Sequence, residues 1–146
     1  MDQHLIAVLL SWTVSLSTYD HPGTPPEIEF KPRSFFVETA CLGHEPCKAA
    51  AWYDYKGVIY LDELLKGRTD AITRSVVVHE MAHYLQDISG KYTEKSCELN
   101  QKLEREAYSI QRQYLRKIAG KFVAIYNSHM LPCKNPLEQD SQGNNS

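Results

Sequence analysis

Two histidines and a glutamate near the middle of the chain have the spacing of a metal site. They belong to the run His79-Glu80-Met81-Ala82-His83, which fits the pattern His-Glu-x-x-His. Because helical positions four apart lie about 40° apart around the axis and one turn along it, both imidazoles can reach one tetrahedral cation. Glu80 is rotated by about 100° from His79, which places it beside the cation rather than on it. The spacing therefore predicts a Zn²⁺ site with an open position for water, and Glu80 as the residue that holds this water.

The third protein ligand must come from another segment, because no His-x-x-Gly-x-x-His continuation follows His83. The next predicted helix carries Glu104 and Glu106 on opposite sides of its apolar face, and either carboxylate would complete a site of two histidines and one glutamate. Ala107, three residues after Glu104, leaves room for close helix packing. It therefore favours Glu104, with Glu106 as the alternative ligand. The apolar face itself is formed by Leu99, Leu103, Ala107, Ile110 and Tyr114.

The helix that presents the two histidines is predicted without the motif. Thr69 or Asp70 can cap its N-terminus, since both side chains can accept a hydrogen bond from the first helical turn. Gly90 can end the helix after Ser89, because glycine readily adopts the left-handed conformation found after a helix. The predicted helix therefore runs from residue 70 to about residue 89.

The other elements are predicted from apolar periodicity and turn residues. Two aromatic and β-branched runs, Ala50–Tyr55 and Val58–Leu61, flank Lys56-Gly57 and predict a hairpin ahead of the histidine helix. The remaining elements are a helix over residues 3–18 with Leu5, Leu9, Trp12 and Leu16 on one stripe, a strand over Glu27–Phe30, and helices over 34–40, Lys95–Ala119 and part of 121–131. The expected fold class is α+β, mainly helical, with a small antiparallel sheet before the histidine helix.

Composition is typical of a globular protein. The chain has 146 residues, of which 42% are hydrophobic and 23% charged, so one domain over residues 1–132 is expected. Residues 133–146 are polar and predict a disordered tail. A formal charge of −2 argues against nucleic acid as a partner. No apolar run reaches the roughly 18 residues of a membrane span.

Four cysteines, Cys41, Cys47, Cys97 and Cys133, permit two disulfides in three connectivities. Cys41 and Cys47 flank a short loop that suits a local bridge. Disulfides predict a periplasmic or secreted protein, with a cytoplasmic protein containing small buried thiols as the alternative. Residues 1–4 lack Lys and Arg, and no Ala-x-Ala site follows, so the N-terminal segment is interpreted as a packed helix rather than a signal peptide.

Two runs of the chain together resemble gluzincin-type zinc metallopeptidases. They are Val76–Gln86, which contains the His-Glu-x-x-His pattern, and Glu104–Gln111, which begins Glu-x-x-Ala. The resemblance is in particular to a family of small, largely uncharacterised bacterial zincin-like proteins, and it covers residues 50–120. It implies a zincin-like fold, a Zn²⁺ cofactor and Glu104 as the third ligand. Many gluzincins have Asp or Asn after the alanine of this pattern to orient a histidine ligand, whereas this chain has Tyr108.

The resemblance also suggests where a substrate would bind. In zincins a strand just before the active helix lies at the sheet edge and can pair with an extended peptide. Val58–Leu61 is the candidate for this strand, and a core strand is the other possibility. The neighbouring aromatic residues Trp52, Tyr53 and Tyr55 are expected to serve packing.

Together these features predict a zinc-dependent hydrolase, a metallopeptidase in which a zinc-activated water attacks the scissile carbonyl and Glu80 is the general base. Tyr108 is a candidate donor to the oxyanion. Two other interpretations stay open: a non-catalytic zinc-binding or interaction module that keeps the fold, and a helical structural protein with a chance motif. The residues do not distinguish peptide hydrolysis from amide hydrolysis in cell-wall material or from self-processing.

Overall fold

Four α-helices and three short strands form within residues 1–125 of this computed structural model, which also describes Cys133. A 3-10 turn at Glu63–Leu65 follows the third strand, and a π-helical turn at Tyr114–Ile118 continues the last helix. This content confirms the predicted α+β class. In chain order the helices and strands are α1 (Gln3–Ser15), β1 (Glu27–Lys31), α2 (Arg33–Thr39), β2 (Ala51–Tyr53), β3 (Val58–Asp62), α3 (Ala71–Ile88) and α4 (Cys97–Gln113).

Helix α3 lies at the centre of the fold. The carboxylate of Asp70 accepts a hydrogen bond from the backbone N–H of Thr73, which confirms one of the two predicted caps. Gly90 has a φ of +69°, in the left-handed region, so the helix ends where glycine was expected to end it. Every residue over 77–86 is buried, because α1, α4, β2 and β3 all pack against α3. The histidine helix is therefore part of the core rather than a surface helix.

The three strands form a mixed sheet in the order β1-β3-β2. Strand β2 pairs antiparallel with β3, with Ala51 opposite Leu61 and Tyr53 opposite Ile59, which confirms the predicted hairpin. Strand β1 pairs parallel with β3 on its other side, so the expectation of an antiparallel sheet was wrong. Both backbone edges of β3 are therefore occupied. The prediction that Val58–Leu61 is an edge strand for a peptide was also wrong, and the edge next to the helices belongs to β2.

Helix α1 packs on α3 with a face that matches the predicted stripe only in part, because Leu9 is buried and Leu5 and Leu16 are half-buried against the core. Its buried residues are Ile6, Leu9, Leu10 and Thr13, whereas Trp12 is 38% exposed. The run over residues 5–10 is apolar on nearly all sides, so periodicity did not specify which side would face the core. The helix also ends at Ser15, earlier than expected.

Helix α4 begins after Ser96, whose hydroxyl accepts from the backbone N–H of Leu99. Four of the five residues predicted for its buried face are buried, and Leu99 is half-buried. Residues 121–125 form no regular structure, so the short helix predicted within 121–131 does not start there. Residues 126–131 of that prediction, and the predicted tail apart from Cys133, lie outside the described residues.

Two disulfides, Cys41–Cys47 and Cys97–Cys133, pair all four cysteines. The first confirms the expected local bridge, and the two together select one of the three connectivities that the sequence left open. Such bonds are more typical of extracellular and periplasmic proteins than of cytosolic ones. Within residues 1–125, no helix is long and apolar enough to cross a lipid bilayer.

The packing of α1 predicts unequal effects of two substitutions on the free energy of unfolding. Leu10→Ala removes a side chain that is 1% exposed and should cost about 2–5 kcal/mol through lost burial and a cavity. Trp12→Ala should cost about 1 kcal/mol or less, since Trp12 lies partly in solvent. Urea unfolding with both disulfides intact would measure this as a shift in midpoint at unchanged m-value. A larger loss for Trp12→Ala than for Leu10→Ala would contradict the orientation of α1 described above.

Candidate metal centre

Three side chains from α3 and α4 converge at one point. His79, His83 and Glu104 each offer one ligand atom, and these atoms all lie within 4.8 Å of one another. The distance from His79 Nε2 to Glu104 Oε2 is 3.6 Å, and His83 Nε2 contacts Glu104 Oε1 directly. The histidines are 7% and 5% exposed, whereas the Glu104 side chain is 28% exposed. Two imidazole nitrogens and one carboxylate suit a divalent cation of borderline softness, so this cluster can hold a metal ion.

The antiparallel packing of α3 and α4 brings these residues together. His83 meets Glu104 in the middle of α4, and His79, one turn earlier on α3, meets Gln111 near the C-terminal end of α4. Ala107 is fully buried between these two points, where its small side chain permits close approach of the helices. Of the two predicted candidates for the third ligand, the structure places Glu104 with the histidines and Glu106 elsewhere.

Each histidine is oriented by a buried glutamine. His79 Nδ1 lies 3.1 Å from Gln111 Oε1, and His83 Nδ1 lies 2.8 Å from Gln86 Oε1. A second hydrogen bond distinguishes the oxygen from the nitrogen of the Gln86 amide, because its Nε2 donates to the backbone carbonyl of Leu103 at 2.9 Å. Because an amide oxygen only accepts, each Nδ1 carries the proton. Each Nε2 is then directed toward the cluster, which is the orientation that a metal ligand requires.

The two glutamines are the site residues that sequence reasoning did not assign. A spacing signal was present: Gln86 follows His83 by three residues, and Gln111 follows Glu104 by two helical turns. Both spacings keep the glutamine on the same helix face as the ligand. Only the relative position of the helices shows that Gln111 bonds to a histidine of α3 rather than to its own helix.

Glu80 and the three candidate ligands line one cavity of about 660 Å³. Glu80 is 9% exposed, and its position next to His79 is the one predicted for a general base. The opposite wall comes from β2, from the hairpin turn and from the loop closed by Cys41–Cys47. This cavity is large enough for a short segment of a substrate chain.

Two tyrosines approach the cluster from different sides. The ring of Tyr108 packs edge-on against His79 with ring centroids 4.4 Å apart, and Tyr108 is 6% exposed. Tyr55 lies in the hairpin turn on the opposite wall, is about half exposed and has a φ of +59°. A left-handed φ is strained for tyrosine, and such strain is concentrated at functional sites. Tyr53 and Tyr55 were expected to serve packing, and their rings lie against each other with centroids 5.0 Å apart, although only Tyr53 is fully buried.

Electrostatics in the cavity follow from its carboxylates. Burial and the negative charges of Glu104 and Glu80 raise the pKa of the Tyr55 phenol to about 12, so the phenol remains a donor at neutral pH. Burial alone would lower the pKa of His83, but the hydrogen bond that His83 donates to Glu104 and the negative charges of Glu80 and Glu104 outweigh it and raise the pKa to about 9. A cation that binds at His83 Nε2 must therefore displace a proton.

Comparisons with models of protein families, with curated proteins and with solved structures found no match to this chain. The geometry of the site therefore carries the functional argument.

Removal of either ligand type should abolish stoichiometric metal binding. The wild-type protein should bind about one Zn²⁺ per chain, and His83→Ala and Glu104→Ala should each reduce this well below one, because the remaining two donors cannot hold the cation tightly. Metal content after dialysis, measured by plasma mass spectrometry, checks the expectation. Glu98→Ala removes an exposed carboxylate from the first turn of α4 and is the matched control. Full zinc content in Glu104→Ala would contradict the site.

Proposed function

We propose that this protein is a zinc-dependent hydrolase of peptide bonds with a zincin-like fold, related in mechanism to gluzincin-type metallopeptidases. The observation that carries the proposal is the convergence of His79, His83 and Glu104 from two antiparallel helices, with Glu80 on the wall of the same cavity. The two disulfides support a periplasmic or secreted location for this activity.

Zinc is the cation that these ligands fit best. Catalytic zinc sites commonly use two histidines and one glutamate and leave a fourth position open. Zn²⁺ bound there would polarise a substrate carbonyl and lower the pKa of a water molecule. All three candidate ligands line the cavity, and Glu104 is the most exposed of them, so a cation held there would be accessible from the cavity.

Glu80 is the residue proposed to move protons. Its carboxylate lies on the cavity wall, one position along α3 from His79, and about 100° around the helix from it. From there it can accept a proton from the attacking water and pass it to the nitrogen of the leaving amine. The low exposure of Glu80 limits competition from bulk water for this proton.

Tyr55 is proposed as the donor to the carbonyl oxygen as negative charge develops. It replaces Tyr108 in this role, because the ring of Tyr108 is held against His79 whereas Tyr55 stands on the opposite wall. A tyrosine hydroxyl is protonated at neutral pH and can therefore donate. The hairpin turn positions this side chain through the left-handed backbone at Tyr55.

The free edge of β2 supports an extended peptide as the substrate. The backbone of Asp62 donates to Ala50 and that of Asp54 to Val58, so even-numbered residues of this segment bond to β3. By the alternation of an antiparallel pair, the N–H and C=O groups of Ala51 and Tyr53 point away from β3. Both residues line the cavity, so a peptide that adds as a fourth strand would pass in front of the cluster.

Glu80→Gln should separate metal binding from turnover. The substitution keeps the size of the side chain but removes the base, so hydrolysis should fall by about 10²–10⁴-fold while zinc content stays at the wild-type value. Digestion of a peptide library followed by mass spectrometry measures the first quantity, and plasma mass spectrometry the second. Equal hydrolysis by wild type and Glu80→Gln would refute the mechanism. Zinc binding without any hydrolysis by the wild type would favour a non-catalytic metal-binding module.

Tyr55→Phe should lower kcat by about 10²–10³-fold, the usual cost of removing one donor to an oxyanion. Zinc content and thermal stability should not change, since the hydroxyl of a half-exposed tyrosine is removed. Tyr108→Phe is the comparison variant, and its effect on kcat should be smaller. The roles would be reversed if Tyr108→Phe caused the larger loss of kcat at full zinc content.

A further inference from the structure

The two histidines of the candidate metal centre are anchored by two series of hydrogen bonds that differ in charge. Gln111, the partner of His79, donates through Nε2 to the hydroxyl of Ser75 at 3.2 Å, and Ser75 donates to a backbone carbonyl. This series of hydrogen bonds contains neutral groups only. Gln86, the partner of His83, donates through Nε2 to Oε1 of Glu106 at 3.1 Å. The second series of hydrogen bonds therefore ends on a carboxylate.

The carboxylate of Glu106 is held from the other side by the segment between α1 and β1. The hydroxyl of Tyr19 donates to the same Oε1 at 2.5 Å and lies 3.2 Å from the hydroxyl of Tyr92. Tyr19 is 6% exposed, and its burial and its contact with Glu106 raise the pKa of the phenol, so it acts as a donor. Lys91 lies over the Tyr19 ring, 5.3 Å from its centroid. The Glu106 carboxylate therefore accepts hydrogen bonds from two side chains, Tyr19 and Gln86.

We propose that Glu106 is a positioning residue for the candidate ligand His83, acting through Gln86. A carboxylate that accepts from the Gln86 amide polarises it, which makes Oε1 of Gln86 a stronger acceptor for the Nδ1–H of His83. A stronger bond at Nδ1 fixes the ring and increases the basicity of Nε2. The inference rests on the metal site of the proposed function, but it does not require that the protein hydrolyse anything.

The geometry of α4 explains how one helix supplies both a ligand and its remote support. Glu104 and Glu106 are two residues apart and lie about 200° apart around the helix axis. Glu104 reaches His83 on the cavity side, and Glu106 reaches Gln86 and Tyr19 on the other side. The backbone carbonyl of Leu103 accepts the second hydrogen of the Gln86 amide, so the amide orientation is specified twice.

The proposal is tested by exchanging the amide of Gln86 and the carboxylate of Glu106. The variants are Glu106→Gln, Gln86→Glu and their combination, with Glu94→Gln as a control that removes the same charge at an exposed position before α4. Zn²⁺ affinity is measured by competition with a chromophoric chelator. Nitrogen-15 spectra of the histidine rings in metal-free protein report the Nδ1–H bond of His83, a readout that does not depend on zinc or on hydrolysis.

Glu106→Gln should weaken Zn²⁺ affinity by about 10–100-fold and weaken the Nδ1–H bond of His83, with His79 unaffected. Gln86→Glu should also weaken binding, because it places two carboxylates in hydrogen-bonding contact. The combination restores one carboxylate and one amide in contact, although the Leu103 carbonyl loses its donor. It should therefore recover part of the affinity lost in the single variants, and the two effects should be non-additive.

Three results would overturn the proposal. One is a Glu106→Gln variant that matches wild type and Glu94→Gln in both affinity and the His83 spectrum. Another is additive losses in the double variant, which would mean that Glu106 does not act through Gln86. The last is a lower unfolding midpoint with an unchanged His83 spectrum, which would assign Glu106 a structural role only. If wild type binds no zinc, the proposed function fails, and the His83 spectrum still decides whether Glu106 positions this ring.

Discussion

The burial of polar side chains on α3 is the constraint on which the rest of the structure depends. His79, Glu80, His83 and Gln86 all lie within a stretch in which every residue is buried. A buried polar group without a partner costs about 1–3 kcal/mol, so a helix of this composition is stable only if its neighbours supply acceptors and donors. The neighbouring helix α4 supplies most of them, through the amide of Gln111, the carboxylates of Glu104 and Glu106 and the carbonyl of Leu103.

This constraint also determines how α3 and α4 fit together. The apolar contacts at Ala107 and Ile110 would tolerate small shifts of one helix along the other, because hydrophobic packing is not directional. Hydrogen bonds are directional, and those at Gln86 and Gln111 lie at two separate levels of the helix pair. The polar contacts that would orient the metal ligands therefore also specify the register of the two helices.

The sheet completes the site from the other side. Because β1 pairs with one edge of β3, the hairpin leaves β2 as the edge strand next to α3, and its turn places Tyr55 on the lining of the cavity that also contains the histidines. The Cys41–Cys47 loop extends the same wall. The proposed peptide substrate would thus contact a covalently closed loop and a sheet edge on one side, and the two helices with the candidate ligands on the other.

The sequence by itself determined the local features of this protein: the spacing of His79 and His83, the limits of α3 and the β2–β3 hairpin. These depend on periodicity and turn residues within a few positions, so they could be predicted without any knowledge of the fold. The sequence favoured Glu104 over Glu106, and the tertiary structure brings Glu104 to the histidines. The tertiary structure alone decided that Gln86 and Gln111 anchor them, that β3 is central and that Trp12 lies partly in solvent. Each of these depends on how elements distant in sequence are oriented toward one another. A residue on the flank of a helix has two possible neighbours, and only packing against the rest of the chain selects one.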